Sequence, residues 1–157
     1  MFKNHFGETV IIVLAIVMGF IMSLAVIFID HVSFNGANIF KIWSMITMVI
    51  LLVSIFVPYK KWSGKLTGLI CTDQASIAYK LIDNILPSLI LNTCNTLIVS
   101  AANIFYNESI PTELWISDWL HGIMRDWPIT FIISYFVAFI AEAIGKWVAE
   151  KYCEVPM

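Results

Sequence analysis

Four long runs with almost no charge divide the chain. They cover residues 9–29, 42–59, 84–107 and 127–145, and only the last contains an acid, Glu142. A helix needs about 20 apolar residues to cross the hydrocarbon core of a bilayer, and each run is about that long. The pattern predicts an all-α integral membrane protein, built as a bundle of four transmembrane helices.

The third run carries amides and hydroxyls at helical spacing. Asn92, Asn95, Thr96 and Asn103, with Ser88 one turn before them, fall along one side of a helix. A polar stripe in a membrane helix must face protein or water. Either these side chains hydrogen-bond to neighbouring helices, or they line a cavity for a small-molecule solute.

Shorter segments join the runs. Apolar residues recur at helical spacing from Trp115 onward, which predicts a short amphipathic helix over about 112–126 on the outer membrane surface. The predicted domain organisation is a first two-helix hairpin at 1–62, a polar cytoplasmic linker at 63–82 and a second hairpin at 83–157.

The two hairpins carry the same landmarks, which predicts an internal repeat. Glu8 and Asp83 each precede a first helix, and a lysine-tryptophan pair closes each second helix, at Trp62 and at Trp147. Both hairpins enter the bilayer from the same side. An axis along the membrane normal therefore relates the two pseudo-repeated hairpins.

Composition and charge agree with a protein that lies in a lipid bilayer. The chain is 60% hydrophobic and 13% charged, whereas soluble domains are about a quarter charged. The net charge of -2 and the lack of a basic cluster exclude nucleic acid as a partner. Seven lysines lie on the side of the termini and only Lys41 and Arg125 on the other, so we expect both termini in the cytoplasm and the protein in the cytoplasmic membrane.

No conventional catalytic motif stands out in the sequence. It contains no P-loop, HExxH, nucleophile elbow or glycine-rich dinucleotide motif. The three cysteines show no CxxC spacing, which is typical of reduced thiols rather than metal ligands. We therefore expect neither an enzyme nor a metal site.

Several short motifs resemble the bacterial membrane family named domain of unknown function 2798. They are Glu8-Thr-Val-Ile-Ile and Ile21-Met22-Ser23-Leu24 in the first half, and Asp126-Trp127-Pro128-Ile129-Thr130-Phe131 in the second. Asn95-Thr96 stands where the second copy would carry the family's Met-Ser pair. The resemblance implies two tandem hairpins over nearly all of the chain and, because the family is uncharacterised, no function.

The first helix also resembles the proteobacterial antimicrobial compound efflux family at Phe6-Gly7-Glu8-Thr9-Val10. That family has four helices in two tandem hairpins, with an acid at the start of the first helix that is implicated in proton-coupled export. The resemblance implies a proton site at Glu8. From its position alone, Glu8 is a helix N-terminal carboxylate that complements the helix dipole.

Glu142 is the only ionisable residue well inside a predicted span. A charge in hydrocarbon costs about 2.5 to 3.5 kcal/mol, so its side chain should face the bundle. Lys146 follows at i+4, which favours an ion pair. The alternative is a carboxylate that exchanges protons. The leading hypothesis is accordingly a proton-coupled transporter or efflux protein, with Glu142 and Glu8 as proton sites and the polar stripe as the path.

Two further hypotheses belong to other classes. His31 and His121 both lie on the outer side near helix ends, where two histidines can hold haem, although loop histidines are more often solvated. The third hypothesis is a non-catalytic accessory or structural subunit. Because four helices barely enclose a solute path, the transporter hypothesis predicts a homodimer.

Overall fold

The computed structural model describes residues 5–105, 107 and 109–153, and nearly all of them are helical. The helices are α1 (Phe6–Ile29), α2 (Gly36–Phe56), α3 (Tyr59–Ile70), α4 (Ile77–Asp83), α5 (Ile85–Phe105) and α6 (Trp115–Tyr152), with a 3-10 turn at Thr112–Leu114. Within the described residues, four stretches are long and apolar enough to cross a membrane: α1, α2, α4 with α5, and the turn with α6. The predicted fold class, an all-α bundle with four helices long and apolar enough to span a membrane, is confirmed.

The four long helices form a ring. α1 packs against α2 and α6, and α5 packs against the same two helices, so α1 and α5 occupy opposite corners. We call the end where α1 begins and α6 ends the proximal end, and the other the distal end. Glycine permits two of these contacts: a Cβ at Gly145 would lie 3.0 Å from the Val10 carbonyl oxygen, and one at Gly19 would overlap Thr47.

The segment predicted as a short surface helix, about 112–126, is helical but runs without a break into the fourth predicted span. Residues 115–152 form one continuous helix of 38 residues, about 57 Å long. The distal turns pack along α5, where Phe105 contacts the rings of Trp115 and Trp119, and the Trp119 Nε1 donates to the Leu97 carbonyl at 3.1 Å. Pro128 lacks an N–H and removes one helical hydrogen bond, but the helix continues through it.

The segment predicted as a polar linker, 63–82, contains most of α3 and α4. Ser63 is buried and its hydroxyl donates to the Asp83 carbonyl, while the Thr67 hydroxyl lies 3.4 Å from an Asp83 carboxylate oxygen. The boundaries of the two hairpins stay predictions, and residues 1–4 and 154–157 at their ends lie outside the described residues.

α1 and α5 begin at different heights along α6. The Thr9 hydroxyl near the start of α1 lies 3.3 Å from the Cys153 sulfur, at the end of α6. Asn84, which precedes α5, donates to the Tyr135 carbonyl at 3.0 Å, in the middle of α6. The proximal turns of α6 therefore extend beyond α5, and α3 and α4 lie against the proximal end of α5.

Candidate functional site

The polar side chains of α5 lie on its buried face. Ser88, Asn92, Asn95 and Thr96 have exposed fractions of 0, 1, 6 and 9%, and we call these four residues the polar face of α5. Their spacing of three and four residues places them on one side of the helix, turned toward the interior of the bundle. The sequence-predicted stripe is therefore internal over these four positions.

Three atoms of this face have no hydrogen-bond partner among the described residues: the Ser88 hydroxyl and the amide oxygens of Asn92 and Asn95. The Asn92 amide nitrogen donates to the Trp127 carbonyl at 3.2 Å, which fixes the orientation of that side chain. An unpaired buried polar group costs about 1 to 3 kcal/mol, and almost all such groups in folded proteins have a protein or water partner. The unpaired oxygens thus indicate a place for water or a ligand.

A cavity of about 40 Å³ lies beside the distal part of this face. Its polar lining consists of Asp30, Asn92, Asn95, Thr96, Ser100, Asp126 and Thr130. The volume has room for about two or three water molecules. We call it the distal cavity.

An ion cluster forms part of the distal cavity. The Arg125 guanidinium lies 2.7 Å from an Asp30 oxygen and 2.5 Å from an Asp126 oxygen. The arginine side chain is 65% exposed, whereas those of Asp30 and Asp126 are 23% and 13% exposed. Burial, and then the nearby Asp126 carboxylate, raise the pKa of Asp30 to about 6, although Arg125 opposes the shift.

Neither carboxylate is a site candidate from the sequence alone, because each lies directly beside a predicted span. Asp30 directly follows α1, and Asp126 lies in α6 next to Arg125. Acids at the ends of two spans are a weak signal. They become a pair only when α1 is known to pack against α6, and hydrophobic periodicity does not reveal that pairing.

A larger cavity of about 370 Å³ lies at the proximal end, which we call the proximal cavity. Its ionisable lining consists of Tyr59, Lys60, Tyr79, Lys80, Asp83, Glu142 and Lys146. Burial raises the pKa of Tyr59, whose hydroxyl lies 2.7 Å from that of Ser54. The cavity forms where the proximal turns of α6 extend beyond the start of α5.

Glu142 lies at this proximal cavity and is ion-paired. One of its carboxylate oxygens is 2.9 Å from the Lys146 ammonium and 3.9 Å from that of Lys60. Its side chain is 32% exposed. The i+4 ion pair is therefore present, and the carboxylate lines a cavity rather than facing hydrocarbon.

The polar face of α5 borders both cavities. Ser88 lines the proximal cavity, and Asn92, Asn95 and Thr96 line the distal cavity. Apolar side chains lie between the two: Met18 and Leu91 line the proximal cavity, and Met22 and Ile46 the distal cavity. One helix face thus leads from one cavity toward the other, with apolar groups between them.

The remaining sequence candidates lie elsewhere. Asn103 is half-buried and lines neither cavity. The Glu8 side chain is 70% exposed and pairs with His5 at 2.7 Å. His31 and His121 are exposed and line neither cavity. Within the part of the chain that the structure describes, no group of three or more His, Cys, Asp or Glu side chains is placed to hold a metal ion.

A family model matches the second half of the chain. Residues 80–149 match the model described as Domain of unknown function (DUF2798). The matched stretch runs from α4 to near the end of α6, and includes the polar face of α5, Asp126 and Glu142. No curated protein and no solved structure matches the chain. Because the match does not include residues 1–79, the tandem repeat stays a prediction, as does the likeness to the efflux family.

Proposed function

We propose that this protein, whose residues 80–149 match the DUF2798 family model, is a small multi-pass transporter for a small organic solute. The observation that carries the proposal is the set of unpaired buried oxygens on the polar face of α5, between two cavities at opposite ends of the bundle. The proposal makes the protein a carrier and not an enzyme.

Helix packing alone does not account for these unpaired oxygens. Asn and Thr that hold membrane helices together do so by hydrogen-bonding across the interface. Thr96 has such a contact, at 3.4 Å to the Thr130 hydroxyl, but the Asn92 and Asn95 amide oxygens have none among the described residues. Buried polar atoms that serve a passing ligand, in contrast, are unpaired when the ligand is absent.

The proximal cavity suggests the class of solute. Its volume of about 370 Å³ is within the range of about 300 to 1,000 Å³ that is usual for small-molecule sites. Three lysines and two carboxylates line it, which leaves one net positive charge. This balance favours a solute with an anionic group over a cationic amphiphile.

In this proposal Glu142 couples the movement of the solute to that of protons. Its carboxylate neutralises Lys146 and lies near Lys60. Protonation of Glu142 would release both ammonium groups for an anionic solute, so proton and anion would bind together. Glu8 is outside both cavities and has no part in this scheme.

The lysine distribution supports a cytoplasmic proximal end in the cytoplasmic membrane, because positive residues are retained in the cytoplasm. Lys60, Lys61 and Lys65 all lie in α3, at the proximal end, whereas Lys41 and Arg125 lie toward the distal end. One chain lines both cavities. A homodimer is therefore not needed to enclose the path and stays a separate prediction.

The test is a flux measurement in proteoliposomes that contain the pH dye pyranine. We expect external succinate to drive acidification of the interior. Asn92→Leu should reduce the rate at least tenfold because it removes an unpaired oxygen from the path. Asn103→Leu is the matched control, with the same change in the same helix but outside both cavities, and should behave as the wild type.

A failure of the wild-type protein to move protons, succinate or ethidium would overturn the transport proposal. A separate variant tests whether transport is coupled to protons. Glu142→Gln should abolish succinate-driven acidification, while Glu150→Gln, an exposed acid two turns further along α6, should not. Equal coupling in both variants would remove Glu142 from the mechanism.

A further inference from the structure

We propose that the distal cavity binds one monovalent alkali cation of sodium size, held by the carboxylates of Asp30 and Asp126 and the amide oxygens of Asn92 and Asn95. This inference deepens the proposed function, on which it rests, by naming a coupling ion. It concerns a different cavity from the one that we propose admits the organic solute.

The charge of the distal cluster matches a monovalent ion. Two carboxylates and the Arg125 guanidinium leave one net negative charge. The arginine side chain is largely exposed, whereas both carboxylates are mostly covered. A single positive charge on the cavity side would therefore neutralise the cluster.

The ligand chemistry points to a hard cation. Carboxylate, amide and hydroxyl oxygens line the distal cavity, and oxygen ligands are those that hard cations prefer. The Asn92 amide nitrogen donates to the Trp127 carbonyl, whereas its amide oxygen, which lines the cavity side of α5, has no partner among the described residues. Two unpaired acceptors beside a net negative charge are therefore suited to a cation.

The volume of the distal cavity limits which cations can bind there. A volume of about 40 Å³ admits a bare or singly hydrated alkali ion, but it is too small for choline or another quaternary ammonium. Divalent sites use several carboxylates, and the described residues place no three acidic, histidine or cysteine side chains together. Sodium is accordingly the probe of choice.

The experiment measures binding to the purified full-length chain in detergent at pH 8, with choline chloride holding the ionic strength constant. We expect saturable binding of about one ²²Na⁺ per chain and a rise in Tm with NaCl. Asp126→Asn and Asn95→Leu should each lower the affinity at least tenfold. Asp118→Asn, which removes another acid of α6 that does not line the cavity, should leave the affinity unchanged.

Three results would overturn the inference: no saturable ²²Na⁺ binding to the wild type, an equal rise in Tm with choline and sodium, or unchanged affinity in Asn95→Leu. That variant keeps the test decisive if Asp126→Asn does not fold, since it removes an amide oxygen that has no partner among the described residues. Binding is measured without flux. Sodium binding without transport would overturn only the proposed function, and transport without sodium binding only this inference.

Discussion

α1 and α5 bury side chains at matching positions but with different chemistry. A constant separation of 73 residues relates six buried positions of α1 to six of α5, namely 14, 15, 18, 19, 22 and 23 to 87, 88, 91, 92, 95 and 96. Both helices pack against α2 and α6. Two helices with the same pattern of burial and the same neighbours can therefore be compared position by position.

The buried face of α1 consists of closely packed groups, whereas the buried face of α5 retains polar atoms without a hydrogen-bond partner among the described residues. Gly19 lets α2 approach so closely that a Cβ there would overlap Thr47, and the Ser23 hydroxyl donates to the Phe20 carbonyl at 2.7 Å. The matching positions of α5 are Asn92 and Thr96, and Asn92 retains an unpaired oxygen. The difference shows that helix architecture does not create the polar face of α5, which depends on residue identity at a few positions.

The largest effect on the free energy of unfolding should come from giving position 19 of α1 the asparagine that α5 has at the matching position. Gly19→Asn adds a Cβ that overlaps Thr47 and lies 3.3 Å from a Trp43 ring carbon, and it forces an amide into the close contact between α1 and α2. We expect a loss of about 2 kcal/mol or more in the free energy of unfolding in detergent. Gly122→Asn, at a glycine with open space around it, should lose much less. Equal losses would contradict the close contact between α1 and α2.

A smaller effect on the free energy of unfolding should come from the protonation of Asp30, which lies at the end of α1 beside the polar face of α5. The pKa of Asp30 is raised from 3.8 to about 6 in the folded protein, so the folded state binds this proton more tightly than the unfolded state. Stability should therefore fall by about 1 to 2 kcal/mol as the pH rises from about 4 to 6. Asp30→Asn should remove this slope, and Asp73→Asn, at an exposed position, should retain it. An unchanged slope in Asp30→Asn would contradict the burial of this carboxylate.

The smallest effect should come from the ion pair at the proximal cavity. The Lys146 and Glu142 side chains are 56% and 32% exposed, and such pairs contribute about 0.5 kcal/mol. Lys146→Gln should therefore change the free energy of unfolding by no more than that. A loss above about 1.5 kcal/mol would make Glu142 a structural residue and remove the reason to place it on a solute path.

The sequence predicts structural features that depend on a single helix. It does not predict features that depend on contacts between two helices. The spans and the polar stripe follow from length and periodicity within single segments. The uncharged run that predicts the fourth span begins only at residue 127, after Arg125 and Asp126, so the sequence does not predict the continuity of α6. Packing of Trp115 and Trp119 on α5 extends the helix beyond that run.

The distal cavity was beyond sequence reasoning for the same reason. Asp30 and Asp126 are 96 residues apart and meet only through the packing of α1 against α6. The vertical offset between α1 and α5, which leaves the proximal turns of α6 without α5 beside them, also depends on side-chain contacts such as Asn84 with Tyr135. Neither feature has a signature in hydrophobic periodicity.

The free energy of unfolding of Asn95→Leu tests the central claim most directly, namely that the polar face of α5 is a site and not a packing device. The Asn95 amide oxygen has no partner among the described residues, so an apolar side chain of similar size should leave stability unchanged or raise it by up to about 1 kcal/mol. A loss of more than about 1 kcal/mol would show that Asn95 holds the bundle together, and would contradict the claim.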